Sequence, residues 1–363
     1  LRAILRGGCS ELRRQVEEQF PFLPAGCHME LDPVASRIVL DNLRQSLPTR
    51  WAPKVEELRH VAAAMARPPA LGSFLKAADL DLEDVYDDRR GWSDLCTAAR
   101  LPTLPGGPDE AAFRRAVGRL LHVNDRERLA AWRGFLAARS PPAVEALDAR
   151  ERRLLRMLVA SMPGIEKGLS LDAGVRRLYA HPQVRAELLE LFDVLEARVD
   201  HVQQPLASRP AVPLHPHARY TRIEILAAFG VGEGARVAPW QTGVYQAREA
   251  RADLLAFTLD KTGGNFSPTT RYRDYAISRD LIHWESQSSV REDSETGRRY
   301  QTHRSRDWSV MLLARLRQDT RAFWFLGPAD YVRHEGELPM AITWRLRTPL
   351  PGDLYAEFAA AVA

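Results

Sequence analysis

The chain has 363 residues, 45% hydrophobic and 27% charged, with a formal net charge of +4 and a sequence pI near 9.1. This is the composition of an ordinary globular protein, long enough for two or three domains with a sizeable core, and no apolar run approaches the roughly eighteen residues a membrane span needs. Three widely spaced cysteines, Cys9, Cys27 and Cys96, with no CxxC pair, argue against a disulfide framework and a zinc site and fit a reducing cytoplasm.

A start at Leu1 rather than Met leads us to expect a piece of a longer protein, and no segment has the pattern of a secretory signal. Asp32 followed by Pro33 reads as an N-cap with proline at the first helical position, opening a helix through Ile38, Val39, Leu40 and Leu43. Apolar residues recurring three and four apart predict further helices over 53–67, 108–121, 125–138, 147–161 and 183–200. The last carries a wide stripe of Val184, Leu188, Leu189, Leu191, Phe192, Val194 and Leu195. Residues 202–219 contain Pro205, Pro210, Pro213 and Pro216 with no periodicity, the signature of a semi-rigid linker. Thr221 and Glu224 then form a capping box for a short helix over 221–229 that stops at Gly230.

Beyond it the pattern changes to strands over 236–247, 252–259, 271–278, 281–289, 308–317, 322–327 and 340–347, with a closing helix near 352–362. The fold class expected is therefore α+β: an N-terminal all-α region over 1–201, a linker over 202–219, and a strongly bent β-sheet or small β-barrel over 220–363 with flanking helices.

Catalytic and metal motifs are missing. The nearest approach to a Walker A loop, Asp260-Lys261-Thr262-Gly263-Gly264, has its glycines on the wrong side of the lysine. There is no HxKxxxxD nuclease pattern, no GxSxG, no HExxH and no Cys/His spacing for zinc. No catalytic residue, metal ligand or cofactor is expected in this chain. The basic residues are nearly all arginine, lysine occurring only at Lys54, Lys76, Lys167 and Lys261. The planar fork of arginine suits phosphate and guanine edges, although a biased genome would give the same composition.

The blocks FSPTTRY, DYAIS and HWESQS between Phe266 and Gln287 plus Ser288, the run TGRRYQTHR from Thr296, and FLGP from Phe325 are distinctive. Over about 220–363 the chain resembles the C-terminal domain found behind a phospholipase-D-like nuclease and a superfamily-two helicase in bacterial modification-dependent (type IV) restriction enzymes. Phe20 to Arg44 resembles the segment that follows the second helicase lobe in the same enzymes. The resemblance implies an SRA/PUA-like module that holds a flipped 5-methylcytosine or 5-hydroxymethylcytosine, with double-stranded DNA and the parent's helicase and nuclease domains as partners. ATP, and magnesium with it, would belong to the parent's motor.

Extruding a base costs a few kcal/mol and needs stacking faces plus hydrogen bonds to the base edge. Phe266, Tyr272, Tyr275 and Trp284 offer faces; Asp274 and Glu285 offer carboxylates for the exocyclic amine, and Gln287 an amide. On a strand, Tyr272 and Asp274 share one face while Arg271, Arg273 and Tyr275 share the other. The same residues would equally build a barrel core with the carboxylates paired to arginines. Phosphate contacts are expected from Lys261, Arg271, Arg273, Arg298, Arg299 and Arg304, in a stretch whose acids also permit a solvated, salt-bridged loop. A further reading is a helical scaffold that forms a homodimer through residues 1–201, with methyl-blind DNA binding.

Overall fold

The computed structural model describes residues 51–65, 67–199, 201–232, 234–260 and 274–361. The expected Asp32 helix and the Phe20 to Arg44 segment lie outside them. Nine helices come first among the described residues: α1 (Trp51–Ala64), α2 (Leu71–Ala78), α3 (Leu82–Val85), α4 (Trp92–Ala98), α5 (Glu110–Val117), α6 (Arg126–Ala137), α7 (Ala149–Ala160), α8 (Leu171–Tyr179) and α9 (Pro182–Ala197). Their starts are chemically marked. Asp125 accepts from the Arg128 amide, Asp148 and Glu151 form a capping box, Ser170 accepts from the Ala173 amide, and Pro182 opens α9. Four short helices, α2, α3, α4 and α8, were not anticipated; at four to nine residues they show too few turns for a period to emerge. Among the described residues no helix is long and apolar enough to cross a membrane.

The proline-rich segment forms no helix or strand before β1 (Arg219–Thr221), but it is clamped rather than solvated. Leu206, Val212, Leu214 and Ala218 are buried in the core. Arg150 of α7 donates to the carbonyls of Pro210 and Val212, Arg153 donates to that of Ala211, and His215 pairs with Glu127 of α6. Helix α10 (Arg222–Ala228) follows, capped by Thr221 and Glu224 as the sequence predicts.

The remaining elements are β2 (Val244–Ala247), β3 (Ala252–Thr258), β4 (Tyr275–Ala276), β5 (Leu281–Glu285), α11 (Glu295–Thr302), β6 (Ser309–Arg315), β7 (Ala322–Glu335), β8 (Ala341–Leu346) and α12 (Gly352–Ala360). One sheet runs β2-β3-β6-β7-β8-β5-β4, with β1 added to β7; β3 and β6 are parallel and every other pair is antiparallel. Its ends, β2 and β4, do not pair among the described residues, so of the two forms expected the sheet takes the open one. The chain is α+β, helices first and a mixed sheet with helices after.

Both faces of the sheet are covered, which is why β3 is buried along its whole length. On one face Leu254, Ala256, Met311, Leu313, Phe323 and Phe325 join the core of the helical region, Leu58, Trp132, Leu188 and Phe192 included. On the other, Leu255, Phe257, Val310, Leu312, Ile282, Trp284, Ile342 and Trp344 pack with Tyr300 of α11 and with Leu354 and Phe358 of α12. Strand β7 is longer than the predicted 322–327 because the chain passes Gly327-Pro328 by a bulge and stays in the sheet. Gly327 has φ +87°, the register with β6 shifts there, and a Cβ on it would lie 3.2 Å from Pro216.

Candidate nucleic-acid interface

Strand alternation decides which of the predicted base-pocket residues can meet a ligand. In β5, Ile282 and Trp284 point into the core, while Leu281, His283 and Glu285 take the opposite face. Trp284 is 4% exposed and packs edge-on to Tyr300, with centroids 5.8 Å apart. It is a core side chain, and the expectation that it stacks on a base is corrected: its strand position commits it to the covered face. Asp274 is also buried, and its Oδ1 accepts from the Glu285 amide at 3.1 Å. Tyr275 lies opposite His283 on the outer face, where the two rings stack at 4.7 Å. The structure therefore places Tyr275, His283 and Glu285 on the face of the sheet opposite Trp284, with Gln287 exposed just beyond β5. Phe266, Tyr272, Lys261, Arg271 and Arg273 lie outside the described residues.

The predicted phosphate contacts divide as well. Arg298 is exposed on α11. Arg299, one residue on, is turned inward: its Nε lies 2.8 Å from Asp253 Oδ2 and a second nitrogen 3.3 Å from Oδ1. Asp253 is fully buried, and its position facing the α11 side of β3 requires a cation there, so Arg299 is corrected from a phosphate contact to a structural ion pair. Burial pushes the Asp253 carboxyl up despite the opposing pull of Arg299 and of the Trp308 indole, whose Nε1 donates to it at 3.0 Å.

Arg304, the remaining predicted contact, lines a cleft of about 520 Å³ at the starts of β3 and β6. The connecting segment contributes Ser208 and Arg209, the β2–β3 turn Glu249, Ala250 and Arg251, the chain entering β6 Asp307, Trp308 and Ser309, and the chain leaving β8 Arg347. Four guanidiniums thus meet two carboxylates in the lining, Asp307 lying 3.6 Å from Arg251, and a third, Asp330, acts on Arg347 and Arg304. Arg209 is fixed by donating to the carbonyls of Ala250 (2.6 Å) and Arg251 (3.2 Å) and to Ser309 Oγ (3.0 Å). It makes no ion pair among the described residues; burial lowers its pKa, Asp307 opposes that, and Arg153 adds to it. Arg251 donates from Nε to the Asp307 carbonyl at 3.0 Å, and Arg347 forms a two-pronged pair with Asp330 at 2.8 and 3.2 Å. Arg304 is 72% exposed and 3.9 Å from Asp330, so its charge is available to a ligand.

Trp308 lines this cleft, and its indole ties it to the buried Asp253–Arg299 pair. Arg209, Arg251 and Arg347 are held by carbonyls, a hydroxyl and carboxylates, the preorganisation an anion site needs, while Arg304 stays largely exposed. Sequence reading missed Arg209, Arg251 and Arg347 because each sits in an irregular segment, where no period announces a shared direction. Among the described residues no group of three or more His, Cys, Asp or Glu side chains could hold a metal ion.

A family model described as a domain of unknown function (DUF3427) matches residues 214–358, from the end of the clamped segment through α12. That family is linked to helicase-associated C-terminal regions. No curated protein matches the chain.

Proposed function

We propose that residues 214–358, together with Ser208 and Arg209 of the clamped segment, form a DNA-binding module that grips the phosphate backbone in the arginine cleft and reads modified cytosine for a helicase-linked restriction enzyme. The observation that carries the first half is the convergence of Arg209, Arg251, Arg304 and Arg347 on one cavity, where they outnumber the acids Glu249, Asp307 and Asp330 and Arg209 makes no ion pair among the described residues. Phosphate oxygens accept from such forks in pairs, and the affinity they supply is independent of sequence. The second half draws on the resemblance of the FSPTTRY, DYAIS and HWESQS blocks and on the position of Tyr275, 38% exposed, on the sheet face opposite the core. A single methyl is worth only about 0.8 kcal/mol when buried, roughly a fourfold preference. Strong discrimination therefore needs DNA deformation or the parent's motor as well. In this reading the chain supplies recognition in the cytoplasm, and ATP chemistry and cleavage belong to the parent.

The test is a titration of 12-base-pair duplexes, methylated and unmethylated, against the wild type and the R251Q and R304Q variants over a range of salt. Each lost phosphate contact should reduce the log–log salt slope by about 0.9. Unchanged slopes and affinities in both variants would remove the cleft from the interface. Equal affinity for the two duplexes would remove the modified-base reading and leave backbone binding in place.

A further inference from the structure

The opposite end of the same sheet face carries two guanidiniums that form no ion pair among the described residues. Ser309, Met311, Leu313 and Arg315 are alternate residues of β6, so Ser309 at the cleft and Arg315 share a face about 20 Å apart. At that far end Arg222, the first residue of α10, and Arg315 both lie against Phe323. The guanidinium carbon of Arg222 is 5.3 Å from the Phe323 ring centre and 5.4 Å from that of Trp240; the guanidinium carbon of Arg315 is 4.8 Å from Phe323. Both rings are buried, so they are platforms for the cations rather than surfaces for a ligand.

The two side chains are held but not satisfied. Arg315 donates to Thr258 Oγ1 and to the Thr320 carbonyl, each at 2.9 Å. Arg222 donates to the Trp240 carbonyl at 3.3 Å, and its Nε is buried without a partner. Neither forms an ion pair among the described residues. Asp319, the acid that acts on Arg315, offsets part of its charge from beyond ion-pair range, and burial together with the neighbouring Arg222 weakens the hold of Arg315 on its proton. Half-buried like charges without a counterion destabilise the free protein, and an anion accepting from them relieves that strain. The planar, ring-backed fork selects tetrahedral oxyanions over halide.

We propose that Arg222 and Arg315 form a second phosphate-binding site, separate from the cleft, taking the phosphate of a nucleic-acid backbone or of a nucleotide. The site stands whether or not the cleft binds DNA. Sodium tripolyphosphate, ATP and a 12-base-pair duplex are titrated calorimetrically into wild type, R304Q, R315K and the R222Q/R315Q double variant. Wild type and R304Q should bind tripolyphosphate alike, R315K several-fold more weakly, and the double variant at least about tenfold more weakly. Without added anion, R222Q should melt no lower than wild type, because removing one of two repelling cations offsets its lost packing; a purely structural arginine would melt lower. Tripolyphosphate displaced by the duplex identifies a backbone phosphate, and displacement by ATP alone identifies a nucleotide. Equal binding of all three probes to wild type and the double variant, or no binding of any to wild type, overturns the proposal.

Discussion

Replacing Glu224 by glutamine tests whether the helical region and the sheet are joined by a buried charge network. Glu224 is fully buried; its Oε1 lies 2.7 Å from Arg128 Nη1 on α6, and its Oε2 2.7 Å from His122 Nε2 and 2.7 Å from the Thr221 amide. Arg128, also fully buried, pairs with Asp125 at 2.8 Å, donates to the Arg219 carbonyl of β1 and lies 4.3 Å over the Tyr220 ring. Breaking a buried pair by removing one partner costs about 3–5 kcal/mol, because the other charge stays buried. Burial alone would raise the Glu224 carboxyl; His122 and Arg128 outweigh it and hold it down at about 2 instead of 4.5. That depression corresponds to about 3 kcal/mol, in agreement. With an unfolding entropy of about 0.6 kcal/mol/K for a body of roughly 300 residues, E224Q should melt about 5–8 °C below wild type at pH 7. Because the folded-state pKa is depressed, the contribution is complete above pH 4.5 and is lost as pH falls through 2, so the two melting curves should converge in acid. Scanning calorimetry across that range is the assay. A melting temperature within about 1 °C of wild type at neutral pH, or a gap that persists in acid, would refute the reasoning. The D125N/R128M/E224L triple, which removes both buried carboxylates together with the arginine they share, should melt above E224Q.

Glu187 has the opposite sign: burial pushes its carboxyl up to about 7 against the hydrogen bonds from Ser93, so wild-type stability should fall as pH rises from 4.5 to 7. E187Q should flatten that fall, which urea melts at pH 5 and pH 8 would show. R299M should strand the buried Asp253, lower stability by about 3 kcal/mol and loosen Trp308, read as a red shift in tryptophan emission; D253N/R299M should recover part of the loss, and no recovery would contradict the pairing.

Much of the fold was legible because its signals are local. The Thr221–Glu224 capping box, the Asp125 cap, the stripe of α9, the alternation of β5 and the continuous apolar run of β6 each state their structure within a few residues. Helix α11 was not, since Tyr300 is the one large apolar residue it buries and its other positions are polar or glycine. The strand expected over 236–247 shrinks to Val244–Ala247 because Pro239 and Gly243 cannot sustain a ladder. The candidate site was less legible than the fold. Residue type marked Trp284 and Arg299 as ligand-facing, but burial direction belongs to tertiary packing, and both turn inward. Asp274 and Arg304 were picked from the same blocks, yet one is buried and the other opens onto a cleft whose partners, Arg209 and Arg347, come from segments 95 positions before it and 43 after.

The shared core bears on how recognition could be reported to a neighbouring motor. A proline-rich tether would let a reader swing freely, so that binding changed only local concentration. Here Leu206, Val212 and Leu214 are buried, Arg150 and Arg153 hold the intervening carbonyls, and Met311 and Phe325 of the sheet pack in one core with Trp132 and Phe192 of the helices. The cleft is itself built partly from that segment, through Ser208 and Arg209. Pulling the sheet from the helices would expose this core and the Arg128–Glu224 pair together, a cost far above the 1–3 kcal/mol typical of allosteric coupling. In the proposed reading, a ligand in the cleft would therefore act on the helical region and the sheet as one body.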